Sequence, residues 1–118
     1  MEVINLVEKF SQFRDLWSPK IVAELNDSYV KLAKVKGEFV WHRHDDEDEM
    51  FLVVKGQLTI KFLDGFVEIN EGEFFVVPKG VEHMPVADKE VWVILIEPQT
   101  TINTGNVENE LTMPDEWI

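Results

Sequence analysis

Gly37-Glu38-Phe39-Val40-Trp41-His42-Arg43-His44-Asp45-Asp46-Glu47-Asp48-Glu49, with Gly56 seven residues further on, is the stretch on which the reading of this chain turns. A second stretch answers it: Gly72, then Pro78-Lys79-Gly80, then His83. The chain has three histidines, and all of them fall in these two stretches. Residues two apart in a β-strand share a face. A strand over Phe39 to His44 therefore aims His42 and His44 at one spot and turns Arg43 away. Three neutral imidazoles and one carboxylate form a ligand set for a divalent transition metal. Of the five acids from Asp45 to Glu49, Glu49 is preferred, because it adjoins the apolar run Met50-Phe51-Leu52-Val53-Val54. Strand parity then puts Glu49, Phe51 and Val53 on the inward face. The other four acids read as a solvated loop.

Working outward, the chain reads as strands from Ile21 onward. Ile21 to Leu25 and Tyr29 to Lys36 flank Asn26-Asp27-Ser28, which is turn chemistry. Phe39 to His44, Met50 to Lys55, Leu58 to Leu63 and Phe66 to Ile69 come next. Phe74 to Val77, His83 to Val86 and Val91 to Glu97 complete the series. Gly56-Gln57 suits a type II′ hairpin turn and Asp64-Gly65 a type I′ turn. Pro78 and Gly80 suit positions two and four of a type I turn. Short strands this regularly punctuated indicate an all-β sandwich or barrel of jelly-roll type.

The spacing also resembles a known pattern. Gly, four residues, His-x-His, four residues, Glu, six residues, Gly is followed by Gly, five residues, Pro-x-Gly, two residues, His. This is similar to the paired motifs of the cupin superfamily, over roughly residues 37 to 87, with the strand pattern extending it to about 20–97. The small single-domain bacterial cupins described as resembling mannose-6-phosphate isomerase are the closest in kind. The resemblance implies a cupin-type jelly-roll β-barrel and, residue by residue, metal ligands at His42, His44, Glu49 and His83. The sequence departs from the pattern at two places. Gly37 stands one residue nearer the first histidine than usual, and Ala87 replaces an asparagine that often follows the last one.

Residues 2 to about 17 carry Val3, Leu6, Val7, Phe10, Phe13 and Trp17 at steps of three and four, which predicts an amphipathic helix ending before Pro19. This arm, residues 1–18, is expected to lay an apolar stripe on the outside of a single barrel domain spanning 20–97. Met50 to Val54, Phe74 to Val77 and Trp92 to Ile96 are apolar on both faces, whereas a strand covered on one side alternates. The outer face therefore needs a cover: the helix, the tail or a second subunit. A homodimer is expected. Residues 98–118 form an irregular tail, with Asn103-Thr104-Gly105-Asn106 as a turn and Leu111, Met113, Pro114, Trp117 and Ile118 as anchors. The tail is pinned to the barrel or a partner, or serves as a lid.

Composition narrows the function. The net charge is -12, with 23 acids against 11 Lys and Arg, which argues against nucleic acid and anionic membrane surfaces. No cysteine is present, so disulfides and thiolate chemistry are excluded. Glu2, Glu8 and Lys9 interrupt any signal-peptide pattern, and a cytoplasmic protein is expected. Mn, Fe, Ni, Co and Zn all accept imidazole and carboxylate ligands, so the metal's identity is open. Two classes of function remain: a metalloenzyme (isomerase, dioxygenase or decarboxylase) and a non-catalytic module binding a small molecule or metal. Phe39, Trp41, Phe51, Phe75, Met84 and Trp92 are candidates to line the pocket. Of the two arginines, Arg14 lies on the arm and Arg43 faces outward, and the only nearby inward cation by parity is Lys55, at the far end of its strand from Glu49. A phosphate clamp is therefore not expected, and the ligand should be neutral or weakly charged.

Overall fold

The structure, a computed structural model, describes residues 1–118. One helix, α1 (Leu6–Phe10), precedes eight strands: β1 (Lys20–Leu25), β2 (Ser28–Glu38), β3 (Glu49–Lys55), β4 (Leu58–Phe62), β5 (Gly65–Ile69), β6 (Phe74–Val77), β7 (His83–Pro98) and β8 (Glu116–Trp117). β7 is the spine of the barrel. Along one edge β2 pairs with it antiparallel from Ser28↔Pro98 to Glu38↔Val86. Along the other edge, β4 pairs with its first part and β3 with its last. The strand thus passes from one sheet into the other and closes them around a common interior, an all-β jelly-roll barrel.

The sequence divides β7 into His83–Val86 and Val91–Glu97, but the structure runs it unbroken. Between Val35↔Val91 and Gly37↔Ala87 the β2–β7 register shifts. This bulge absorbs the extra residues around Asp88, so the ladder resumes instead of breaking. Gly56 follows β3 with φ +91°, but β3 and β4 both pair with β7 and not with each other, so Gly56-Gln57 does not close the expected type II′ hairpin. The β4–β5 hairpin differs from expectation too. Phe62 pairs with Gly65, so the turn residues are Leu63-Asp64. Neither has a positive φ, and a type I′ turn is thereby ruled out.

Burial alternates along the strands as parity requires. In β3, Glu49, Phe51 and Val53 are buried, while Met50, Leu52 and Val54 are half-buried. The inward side chains, among them Val35, Val53, Leu58, Ile60, Val91 and Val93, form the main core. A second cluster, Phe10, Phe13, Val22 and Leu32, packs with Trp92, Ile94 and Ile118 on the outer face of β2 and β7. Phe10 is fully buried and stacks on Trp92 with ring centroids 4.9 Å apart. The N-terminal arm therefore does cover the barrel's outside.

It does so with one helical turn and not with a helix over 2–17. The Asn5 side chain caps α1 by accepting the Glu8 N–H at 2.9 Å. Beyond Ser11 the chain runs alongside β2. Trp17 N–H donates to the Lys34 carbonyl at 2.9 Å, and Lys34 Nζ donates to the Phe13 carbonyl at 2.8 Å. Pairing with a preformed strand satisfies these backbone groups and overrides a weak preference, since Phe and Trp are mediocre helix formers. Val3 and Val7, part of the expected stripe, are exposed. On β6 the cover stops, and Phe74 and Val76 stand 62% and 44% exposed. The tail follows no regular path until β8, which adds to β1 as a short parallel edge. No helix is long and apolar enough to cross a membrane.

Candidate metal centre

His42 and His44 lie between β2 and β3 in a segment that is not the expected strand over Phe39 to His44. Only His42 bridges to His83, through reciprocal backbone bonds of 3.0 and 2.8 Å. After His42 the backbone finds other partners: the His44 carbonyl accepts from Gly80 N–H at 2.7 Å, and Arg43 bonds to the tail. The imidazoles nevertheless converge. Ring centroids are 5.0 Å apart for His42 and His44, 4.3 Å for His42 and His83, and 5.8 Å for His44 and His83. The Arg43 side chain turns outward to Asp45, 2.7 Å away. Glu49 opens β3 facing inward, with Oε1 3.5 Å from His44 Nε2 and 3.6 Å from His83 Nε2.

Two observations test whether these groups suit a cation. First, His44 Nδ1 and Nε2, His83 Nε2 and Glu49 Oε1 are buried with no hydrogen-bond partner. Such orphaned groups cost about 1–3 kcal/mol each. Second, His42 Nδ1 donates to the Val40 carbonyl and His83 Nδ1 to the Val81 carbonyl, both at 2.9 Å. A carbonyl only accepts, so both rings hold their proton on Nδ1 and offer Nε2 lone pairs inward. One candidate ligand atom from each of the four residues lies within 4.8 Å of all the others. Ligands about 2.1 Å from one ion stand at most about 4.2 Å apart, so a contraction of roughly half an ångström suffices. The residues fit a divalent metal.

The electrostatics agree. Burial, and then the neighbouring His83, push His42 down to about 4, which keeps it neutral and able to ligate. Burial works to raise the Glu49 pKa, but the closeness of Glu97, His44 and His83 outweighs it, and the carboxyl stays well below its usual range. Glu97 goes the other way. Its own burial and the charge of Glu49 hold it well above the usual range. Glu97 is therefore the protonated member of the pair and Glu49 the anionic one.

Glu97 and its partner Lys31 were not singled out from the sequence. Parity along Val91, Val93, Leu95 and Glu97 does point Glu97 inward, and the same alternation in β2 brings in Lys31. Both are essentially unexposed. Lys31 Nζ lies 2.9 Å from Glu97 and 2.9 Å from Asp115 of the tail. Lys31, not Lys55, is thus the inward cation, because Lys55 sits outside over the Trp92 ring. With two carboxylates already beside it, Lys31 offers no phosphate site.

A cavity of about 480 Å³ of empty space, part of it open to solvent, leads away from the cluster. Phe39 and Phe51 line it as expected, whereas Trp41, Phe75, Met84 and Trp92 do not. Its other walls include unexpected residues: Trp17 of the arm, Pro19 just after it, Pro85, and Asn103 of the tail. Trp17, at φ +60°, stacks on Phe39 at 4.6 Å, and Phe39 in turn meets His42 edge-on at 5.3 Å. Glu97 lines the cavity beside Glu49 and His42. Three of the four remaining acids of the loop have partners. Asp45 pairs with Arg43, Glu47 accepts from Thr100, and Asp48 accepts from the Lys79 N–H.

Comparison with known proteins agrees with this geometry. Residues 28–97 match the family model described as the cupin domain. A cupin-2 domain protein from Shewanella frigidimarina, known from its crystal structure, is 52% identical, with a TM-score of 0.81 over 82% of this chain and 95% of that one. The uncharacterized protein YdbB of Bacillus subtilis is 30% identical over 80% of this chain and 94% of its own length. A putative dioxygenase of Saccharolobus solfataricus is 27% identical, over 75% of this chain but 24% of its own. These relatives lend no support to the finer resemblance to mannose-6-phosphate isomerase. The family model spans more than half of the chain and encloses His42, His44, Glu49 and His83, and the chain belongs to the cupin family.

Proposed function

We propose that His42, His44, Glu49 and His83 hold one divalent transition metal, and that the protein is a metalloenzyme acting on a small uncharged molecule. The observation that carries this reading is the set of buried, unpartnered Nε2 and Oε1 atoms within ligating distance of one another. When bound, the ion supplies a Lewis acid for a carbonyl or enediol oxygen, or a redox centre for dioxygen chemistry. Mn, Fe, Ni, Co and Zn all suit the donor set. One residue supports catalysis over simple storage. Glu97 is an ionisable group, lining the cavity, that is not among the four proposed ligands. It can hold or pass a proton at the metal-side end of the cavity.

The cavity walls favour the substrate class. Trp17, Phe39, Phe51, Leu58, Val93 and Leu95 give apolar contact, and the polar groups gather mainly beside the metal cluster. A sugar or polyol presents hydroxyls on all sides and would leave them unpaired against such walls. A flat, largely apolar molecule with oxygen at one end suits the shape better. The similarity to a putative dioxygenase points the same way among the reactions open to the site.

The exposed Phe74 and Val76, beside half-buried Met50 and Leu52 on the same outer face, support a homodimer through β6 and β3. Metal analysis of protein purified without added metal tests the central claim. The expected result is up to one ion per chain, lost in His83→Ala while the far-UV circular dichroism stays that of a folded barrel. Full metal content in that variant would remove the assignment. Oxygen uptake by the Fe(II)-loaded protein, with a panel of uncharged aromatic diols against neutral sugars, then tests the reaction.

A further inference from the structure

The barrel holds the backbone on either side of Arg43, at His42 through the bridge to His83 and at His44 through the Gly80 N–H, but not at Arg43 itself. Arg43 stands between the two histidines with its side chain turned outward. No strand pairs with its backbone. The tail supplies both missing partners from one residue. Arg43 N–H donates to Asn106 Oδ1 at 2.9 Å, and Asn106 N–H donates to the Arg43 carbonyl at 3.0 Å. Gly105 makes the approach possible. Its φ is +58°, and a Cβ there would overlap the Arg43 carbonyl and stand 3.2 Å from His42 Cδ2.

The tail is also built to present these two residues in a fixed shape. Thr104 is fully buried, and its hydroxyl lies 2.5 Å from the Val107 carbonyl and 2.6 Å from the Thr112 hydroxyl. Asn103 donates to the Leu111 carbonyl at 2.8 Å and accepts from Met113 N–H at 3.0 Å. We propose that Asn106, brought into contact by Gly105, is a positioning residue that sets the placement of His42 and His44 and thereby the affinity and coordination geometry of the metal centre. The proposal rests on the metal-centre reading above. The tail is then part of the site's framework and not a mobile lid. A shift of the Arg43 backbone moves both imidazoles at once, because each hangs from an adjacent residue.

The test uses full-length protein stripped of metal and titrated with Co(II) against a competing chelator, with the visible absorption spectrum as the coordination signature. Asn106→Ala and Gly105→Ala should weaken cobalt affinity by about 10- to 100-fold, the range typical of groups that orient metal ligands, and should change the cobalt spectrum. Asn106→Asp keeps the accepting oxygen and the backbone N–H, and should restore both. Amide hydrogen exchange at Arg43 in the metal-free protein should rise in Asn106→Ala and return in Asn106→Asp. If wild-type protein binds cobalt and the alanine variants match it in affinity and spectrum, the positioning role is overturned and the metal centre stands. If wild-type protein takes up no cobalt, the metal-centre reading itself has failed, and this role falls with it.

Discussion

Acidification should destabilise the metal-free protein, and His42 determines over which pH range it does so. In the unfolded chain an imidazole titrates near 6.5. In the fold, burial and the neighbouring His83 bring His42 down to about 4. The folded state therefore resists a proton that the unfolded state accepts. Between these values the unfolded chain binds more protons, so stability rises with pH across the window and is lost as pH falls from about 6.5 to about 4. The gap corresponds to roughly 3 kcal/mol in total, approaching 1.4 kcal/mol per pH unit at its steepest. Glu97 opposes this slope, because a carboxyl held protonated in the fold contributes stability at low pH that fades as pH rises past the ordinary carboxylate range. Glu49, held well below its usual range, adds to the loss at low pH; the wild-type curve sums all three, and the comparison must be differential. Urea unfolding of EDTA-treated wild type and His42→Gln at pH 7.5, 6.5, 5.5 and 4.5 separates them. The wild type should lose up to roughly 3 kcal/mol relative to the variant across that range. Parallel curves for the two proteins would show that His42 is not held neutral by its surroundings.

Other outcomes follow from single contacts. Glu49→Gln should lower cobalt affinity by at least about tenfold, whereas Asp46→Asn, in the exposed loop, should leave it unchanged; the opposite order in a chelator competition would move the carboxylate ligand into the loop. Phe10→Ala should destabilise the protein by about 3–5 kcal/mol in urea melts, since Phe10 is fully buried against Trp92; a loss under 1 kcal/mol would mean the arm is not docked in solution. Glu97→Leu should cost about 1–3 kcal/mol by taking a polar partner from buried Lys31 and leaving it Asp115 alone, and a neutral result would show that Asp115 suffices. Phe74→Asp should convert a dimer to a monomer in light scattering, and an unchanged mass would place the interface elsewhere.

The sequence by itself determined the position of most strands and the ligand candidates, because both rest on short-range periodicity. Alternation along Glu49, Phe51 and Val53 is a local property of an extended chain, and the structure keeps it. The His-x-His pair converges as parity predicts, although the backbone between those residues is not a strand. Residues separated by long stretches of chain were beyond such a pattern. Periodicity gave the arm its buried Phe10 and Phe13, but it could not register that β2 would offer Trp17 a better backbone partner than another helical turn. Nor could it place Lys31 beside Glu97 and Asp115, or bring Trp17 and Asn103 into one cavity wall. Whether the tail was a lid or a strut depended on Asn106 meeting Arg43 across 63 residues of sequence. Such pairings depend on where the closed barrel puts its edges, since a buried backbone group must be satisfied by whatever the fold brings beside it, and tertiary structure alone decides that.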